Sequence, residues 1–269
     1  MINPTYMFLV WKLHRGLILF SFLFLALMQF LIIWIIGSLN YLPFIETFIQ
    51  QLPPQIRILF SEELINRFSI NGAAAFGFNH PLVLAVLGLS AIMIPARHIA
   101  GEVESGSLEI IISHPIKRIE IIFSLWLSYL IILLFIIVGG WIGSYTALTV
   151  KSQINLQISK KLFQIGLNLW LLFLLIMSYT LFISTFKSEG NKTGIIGAII
   201  TLLFYLMNFF STIWDSLQFT KFFNIFTYYQ PQKLMFTERS FWSNAIVLLT
   251  IIFICLGAGM FRFHKRDIP

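Results

Sequence analysis

Three of the chain's eleven carboxylates, Glu102, Glu104 and Glu109, fall within eight positions. Arg97 and His98 precede them, and His114, Pro115, Lys117 and Arg118 follow. Such groups could exchange protons, hold a metal or pair with cations on another molecule. Metal ligation needs a tight set of ligands, and the spacing of His80, His98 and His114 gives none, so these read as polar span boundaries or caps. Hydrolysis has no support: there is no His-Glu-x-x-His, no Gly-x-Ser-x-Gly and no pair of aspartates in an apolar run. Nucleotide binding by this chain has none either, because Gly190-Asn191-Lys192-Thr193 lacks the glycine before lysine that a phosphate loop needs and reads as a short turn. The one cysteine, Cys255, cannot form an intrachain disulfide and reads as a small apolar filler. An ordinary solvated inner loop with charges and a charge-pairing surface both stay open at this point, and the chain is expected not to be an enzyme.

Helical spacing gives this stretch two faces. Glu102 and Glu109 lie seven apart, on one side, while Leu108, Ile111 and Ile112 form an apolar side. Gly106 permits a bend or a break between two short helices, and Pro115 ends the helix. The whole element, 97–118, joins two long apolar runs directly.

Those runs set the fold class. Of 269 residues, 58% are hydrophobic and only 11% charged, and the mean hydropathy is +0.87. An ordinary soluble domain carries about 25% charged residues, so lipid must be part of this chain's solvent. A transmembrane helix needs about 20 apolar residues, and six runs qualify: 16–37, 73–96 (interrupted at Asn79-His80-Pro81), 119–150, 162–186, 193–214 and 243–261. The expectation is a single all-α polytopic membrane domain over 1–269. The first run is too long for a signal-peptide core and is expected to be retained. Glu120, beside Arg118, is the only carboxylate placed in a span and reads as an interface residue. Charges are otherwise absent from span centres, which argues against ion coupling within the chain. No internal repeat supports an inverted-repeat secondary transporter.

The net charge of +7 does not indicate nucleic acid, since the basic residues sit between apolar runs rather than in an exposed stripe. With the N-terminus inside, Lys12, Arg15, Arg97, Lys117, Arg118, Lys187, Lys192, Arg262, Lys265 and Arg266 fall on the cytoplasmic side. The remaining eight of 18 basic residues fall in the longer outer segments. The higher density inside favours cytoplasmic N- and C-termini in a multi-pass cell-membrane protein. Residues 1–15 mix aromatics with Lys12, His14 and Arg15, which suits an interfacial helix. In the outer loop, Gln55 to Phe68 has an amphipathic helical pattern after Pro54. The aromatic-rich stretch 215–242 is too apolar for a free loop and is expected to form short re-entrant or interfacial helices broken at Pro231.

With the spans in place, the stretch Ala100-Gly101-Glu102, Glu104, Gly106, Leu108-Glu109, His114-Pro115 and Arg118 resembles the inner loop of ABC-transporter permeases of the type-2 exporter class. Ser107 stands where threonine is usual and Ile112 where leucine is usual. The ending Phe261-Arg262-Phe263-His264-Lys265-Arg266-Asp267 and the aromatic-proline run Tyr228-Tyr229-Gln230-Pro231 resemble the same family, so the likeness covers the whole chain. The resemblance implies a permease that couples ATP hydrolysis on a separate cytoplasmic ABC ATPase to export. Two permease chains, expected to be a homodimer, would sit over two ATPase subunits. ATP and magnesium would be bound by the partner, with no cofactor in this chain. Arg97, Glu102, Glu104, Gly106, Leu108, Glu109, His114, Pro115 and Arg118 would carry the coupling, with Glu102 and Glu104 facing basic groups on the ATPase. The alternatives are an ion-coupled secondary transporter and a membrane-embedded scaffold. Polar side chains expected to line the path are Gln29, Ser124, Ser128, Asn168, Ser178, Thr201 and Asn208, a set compatible with lipids, amphipathic drugs, peptides or a polysaccharide. Some relatives serve maturation of a periplasmic metalloenzyme.

Overall fold

A computed structural model describes residues 2–38, 47, 69–113, 116–237 and 241–266. The expected outer-loop helix 55–68, His114, Pro115, and the side chains of Ile111 and Ile112 lie outside the described residues. No strand occurs among the described residues. Six helical stretches are long and apolar enough to cross a membrane, and the protein is an all-α multi-pass membrane protein.

The first crossing helix, α1 (Pro4–Ser38), has 35 residues. Proline at its first turn forfeits no helical hydrogen bond, and the Asn3 side chain accepts from the Tyr6 N–H at 3.0 Å. Residues 4–15 therefore continue span one rather than forming the separate interfacial helix expected. At 1.5 Å per residue α1 measures about 50 Å, so its first turns extend beyond roughly 30 Å of hydrocarbon. The second crossing is composite: α2 (Ile70–Phe78), α3 (Pro81–Pro95) and a wide turn of π type (Ala96–Gly101). The break falls at Asn79-His80, where the His80 Nδ1 accepts from the Leu82 N–H at 3.3 Å, so His80 is a cap. Pro95 lies inside the helix. Its missing N–H and its ring disturb the ladder, and the backbone widens over the next turn.

Two very short helices follow, α4 (Glu102–Glu104) and α5 (Ser107–Ser113). Then come α6 (Arg118–Val150), α7 (Leu156–Ser184) and α8 (Gly190–Ile213). The aromatic stretch forms two 3₁₀ turns, Asp215–Phe222 and Ile225–Tyr228, and a short helix α9 (Pro231–Phe236), which Pro231 opens. This stretch folds back onto span two. The Tyr229 hydroxyl donates to the Phe78 carbonyl at 2.9 Å and the Gln232 amide donates to the Gly72 carbonyl at 3.0 Å. The Phe78 carbonyl at the α2–α3 break thus gains a donor, as irregular backbone at membrane depth requires. The last crossing is α10 (Phe241–His264).

The core lies between span two, α6 and α7. In the most apolar stretch of α7, 78% is buried, against 28% in α1, 28% in α10 and 11% in α8, so these last three are the outer helices. The tightest pair is α1 with α6. A Cβ added at Gly143 would lie 2.1 Å from the Ala26 carbonyl oxygen, so the two backbones touch and only glycine fits. The Asn3 N–H donates to the Ser124 hydroxyl at 2.8 Å, fixing the other end of this seam. Alternate crossings bring residues 3–14, 97–113, 116–118, 184–190 and 262–266 to one end of the bundle, the end described next.

Candidate functional site

The wide turn after Pro95 carries His98, which is buried at 4% exposure despite its polar ring. It is held from two sides. Its Nδ1 lies 3.0 Å from Glu102 Oε1, and its Nε2 lies 3.0 Å from His14 Nε2 on α1. One proton arrangement satisfies both contacts: His14 Nε2–H donates to His98, and His98 Nδ1–H donates to Glu102. The Tyr6 hydroxyl approaches the same Nδ1 at 3.5 Å. Tyr6 and His14 precede the apolar run 16–37. Burial, then the Glu102 carboxylate, raises the Tyr6 phenol well above its usual value. Burial, then His98 and Arg97, lowers the His14 imidazole to about 4. Leu13, His14, Arg97, His98 and Glu102 line a cavity of about 220 Å³.

Glu104 points elsewhere. Its Oε2 accepts from the Gly190 N–H at 2.8 Å, occupying the first free donor of α8. The backbones meet there too, since a Cβ on Gly190 would sit 3.1 Å from the Gly101 Cα. After α4 the chain reverses at Gly106, whose φ of +72° is a left-handed conformation that side chains with a Cβ resist. Glu102 and Glu109 consequently sit on different short helices and not on one continuous face. Leu108 is fully buried and anchors α5, while Glu109 is exposed. Of the three carboxylates, Glu102 is half-buried against His98, while Glu104 and Glu109 are exposed, Glu104 with one oxygen on the first N–H of α8. Arg97 is exposed beside the cavity.

Arg118, at the exit of the segment, starts α6 and donates to the Arg266 carbonyl. Glu120, in the first turn, accepts from the Lys117 N–H at 3.4 Å. Sequence reading placed Arg266 among the orienting charges and in the family-like ending but gave it no contacts, and its guanidinium donates to the Ser184 carbonyl at 3.3 Å, the Thr185 carbonyl at 3.1 Å and the Ser188 hydroxyl at 2.9 Å. His14, Tyr6, Gly190 and Arg266 are thus structural members of the site that sequence reading missed. The one signal was the Arg-containing ending. Among the described residues no group of three or more metal-ligating side chains is placed to hold a metal ion.

A larger cavity, about 640 Å³, opens between span two and α8. Leu89, Ile92, Met93, Ile195 and Ala198 form an apolar wall, and Arg97, Glu102, Glu104 and Asn191 form a charged and polar base. Of the polar residues expected along a path, Thr201 and Asn208 are half-buried on α8. Gln29, Ser124, Ser128, Asn168 and Ser178 are buried between helices of this one chain. Ser128 donates to the Ser124 carbonyl and Ser178 accepts from the Trp126 indole, so these serines serve helix packing.

Residues 13–268 match the family described as ABC-2 family transporter protein. The chain belongs to that family. It is therefore a membrane permease subunit of an ABC transporter, and membership implies association with an ABC ATPase. No curated protein matches it. In this ABC-2 permease the matched region includes the entire 97–118 segment, both cavities and Arg266.

Proposed function

We propose that this permease couples ATP hydrolysis on a separate cytoplasmic ATPase to the export of a substrate, and that segment 97–118 is the coupling element. The observation that carries the reading is the division of its carboxylates. His98, held by Glu102, ties the segment to α1 and Glu104 ties it to α8, while Glu109 is exposed on a helix anchored by Leu108. A short element with one face locked to crossing helices and one face free has the form of a lever between a partner and the spans. On this reading the end holding residues 3–14, 97–118 and 262–266 is cytoplasmic. Both termini lie on that side, and ATP and magnesium are held by the partner.

Two permease copies over two ATPase subunits complete the reading. The weakly buried α8 offers an apolar face for the second copy. The cavity between span two and α8 would then open towards the seam between copies. Its apolar wall over a charged base suits an amphiphile. An ion-coupled carrier is disfavoured by the lack of charges at span centres.

Charge reversal at the outward carboxylate tests this. Glu109→Lys should leave the permease at normal membrane levels and reduce the amount of co-purifying ATPase by about tenfold, since like-charge juxtaposition at an interface costs several kcal/mol. Undiminished ATPase recovery with Glu109→Lys would contradict the assignment.

A further inference from the structure

The segment is tied at both ends to one short turn, the α7–α8 connection. At its entrance Glu104 holds the Gly190 N–H at 2.8 Å. At its exit Arg118 holds the Arg266 carbonyl, and Arg266 reaches back to Ser184, Thr185 and Ser188 of that turn. Arg262, one turn earlier on α10, lies over the Phe186 ring at 5.1 Å from its centroid. The loop of contacts closes: segment, tail, turn, segment.

We propose that Arg266 is a positioning residue, and that the 262–266 tail is a strap transmitting displacement of segment 97–118 to α8. This rests on the coupling reading above. The Arg266 side chain is buried at 7% exposure with no carboxylate partner among the described residues. A buried cation is tolerated when its donors are well used, and the planar guanidinium can fork across several acceptors where lysine cannot. Here the acceptors include carbonyls that the end of α7 leaves without helical partners. The segment itself has little slack against the start of α8, because Gly190 and Gly101 meet backbone to backbone. Movement of the segment must then displace the turn. Of the helices leaving it, α7 is 78% buried over its most apolar stretch and α8 only 11%, so α8 is the one free to follow. Ile195, on α8 and on the wall of the larger cavity, is where that displacement would alter the cavity.

The test uses the full permease with its co-purified ATPase, in a Cys255→Ser background carrying Ile195→Cys. A nitroxide at position 195 reports mobility with and without ATP and vanadate. The parent should show a nucleotide-dependent spectral change. Arg266→Ala should keep ATPase association and basal ATP turnover, yet reduce that change by roughly fivefold, within the range seen for residues on coupling networks. Arg266→Lys, which can make only part of the contacts, should fall between. If Arg266→Ala does not accumulate in membranes, Arg266→Lys and Ser188→Ala give the same readout and decide the matter. A full nucleotide response in the accumulating Arg266 variants overturns the strap. A parent that binds no ATPase, or shows no response, overturns the coupling reading instead.

Discussion

Two imidazoles 3.0 Å apart, one of them 3.0 Å from a carboxylate, join α1 to the start of segment 97–118. The contact needs at least one imidazole nitrogen free of its proton, because two N–H groups cannot face each other. His14 has a folded-state value of about 4, below its ordinary 6.5. A depressed value means the folded chain binds fewer protons than the unfolded one between those limits. Stability from this joint is therefore fully present above about pH 6.5 and is lost as pH falls towards 4. His14→Phe should flatten that part of the profile, measured as thermal stability of the detergent-solubilised permease from pH 7 to pH 4. A variant profile as steep as the parent's would show that His14 is not the titrating group. The pairing could not be read from sequence, since 84 positions separate the two histidines. The same holds for Glu104 with Gly190 and for Arg118 with Arg266. Composition marks these residues as polar, and only the fold says which polar groups meet.

At the scale of elements, much was legible because it rests on local rules. Apolar run lengths gave the six crossings, Asn79-His80-Pro81 marked the break in span two, and Gly106 marked the reversal between the short helices. The N-terminal helix was misjudged because an amphipathic stretch continuous with an apolar one looks the same whether or not a bend separates them. Helix pairing was not legible either. Gly139 and Gly143 were read only as part of a span, yet they let the α1 backbone approach α6 where a Cβ would collide with it. Gly143→Leu should prevent α1 from docking on α6, since the obstructing atom is a backbone carbonyl that cannot rotate away. Overpacking costs about 1–3 kcal/mol where neighbours can yield, and more is expected here. Gly257→Leu, where a Cβ meets nothing within 4 Å, is the matched control. Size-exclusion chromatography in detergent should show aggregation for the first and a normal peak for the second. Equal behaviour of the two variants would refute the packing account.

For the whole molecule, the described helices form an inner set, span two with α6 and α7, and an outer set of α1, α8 and α10. The inner set is the more buried, and of the outer helices α1 is docked along α6 through Gly139 and Gly143 while α8 is the least buried. Segment 97–118 is bonded to two of the outer helices, to α1 through His98 and to α8 through Glu104. On the proposed reading, a push at that end would pass to α8, the least buried helix, without unfolding the core. The account's central claim is that the push comes from an ATPase bound at that end. The most direct measurement is thiol-specific photocrosslinking in a Cys255→Ser background. One cysteine replaces the outward Glu109 and another replaces Lys151, at the opposite end beside Ser38. The predicted result is an ATP-sensitive crosslink to the ATPase from position 109 and none from position 151. A crosslink from 151, or none from 109 while the ATPase remains bound, would contradict the account.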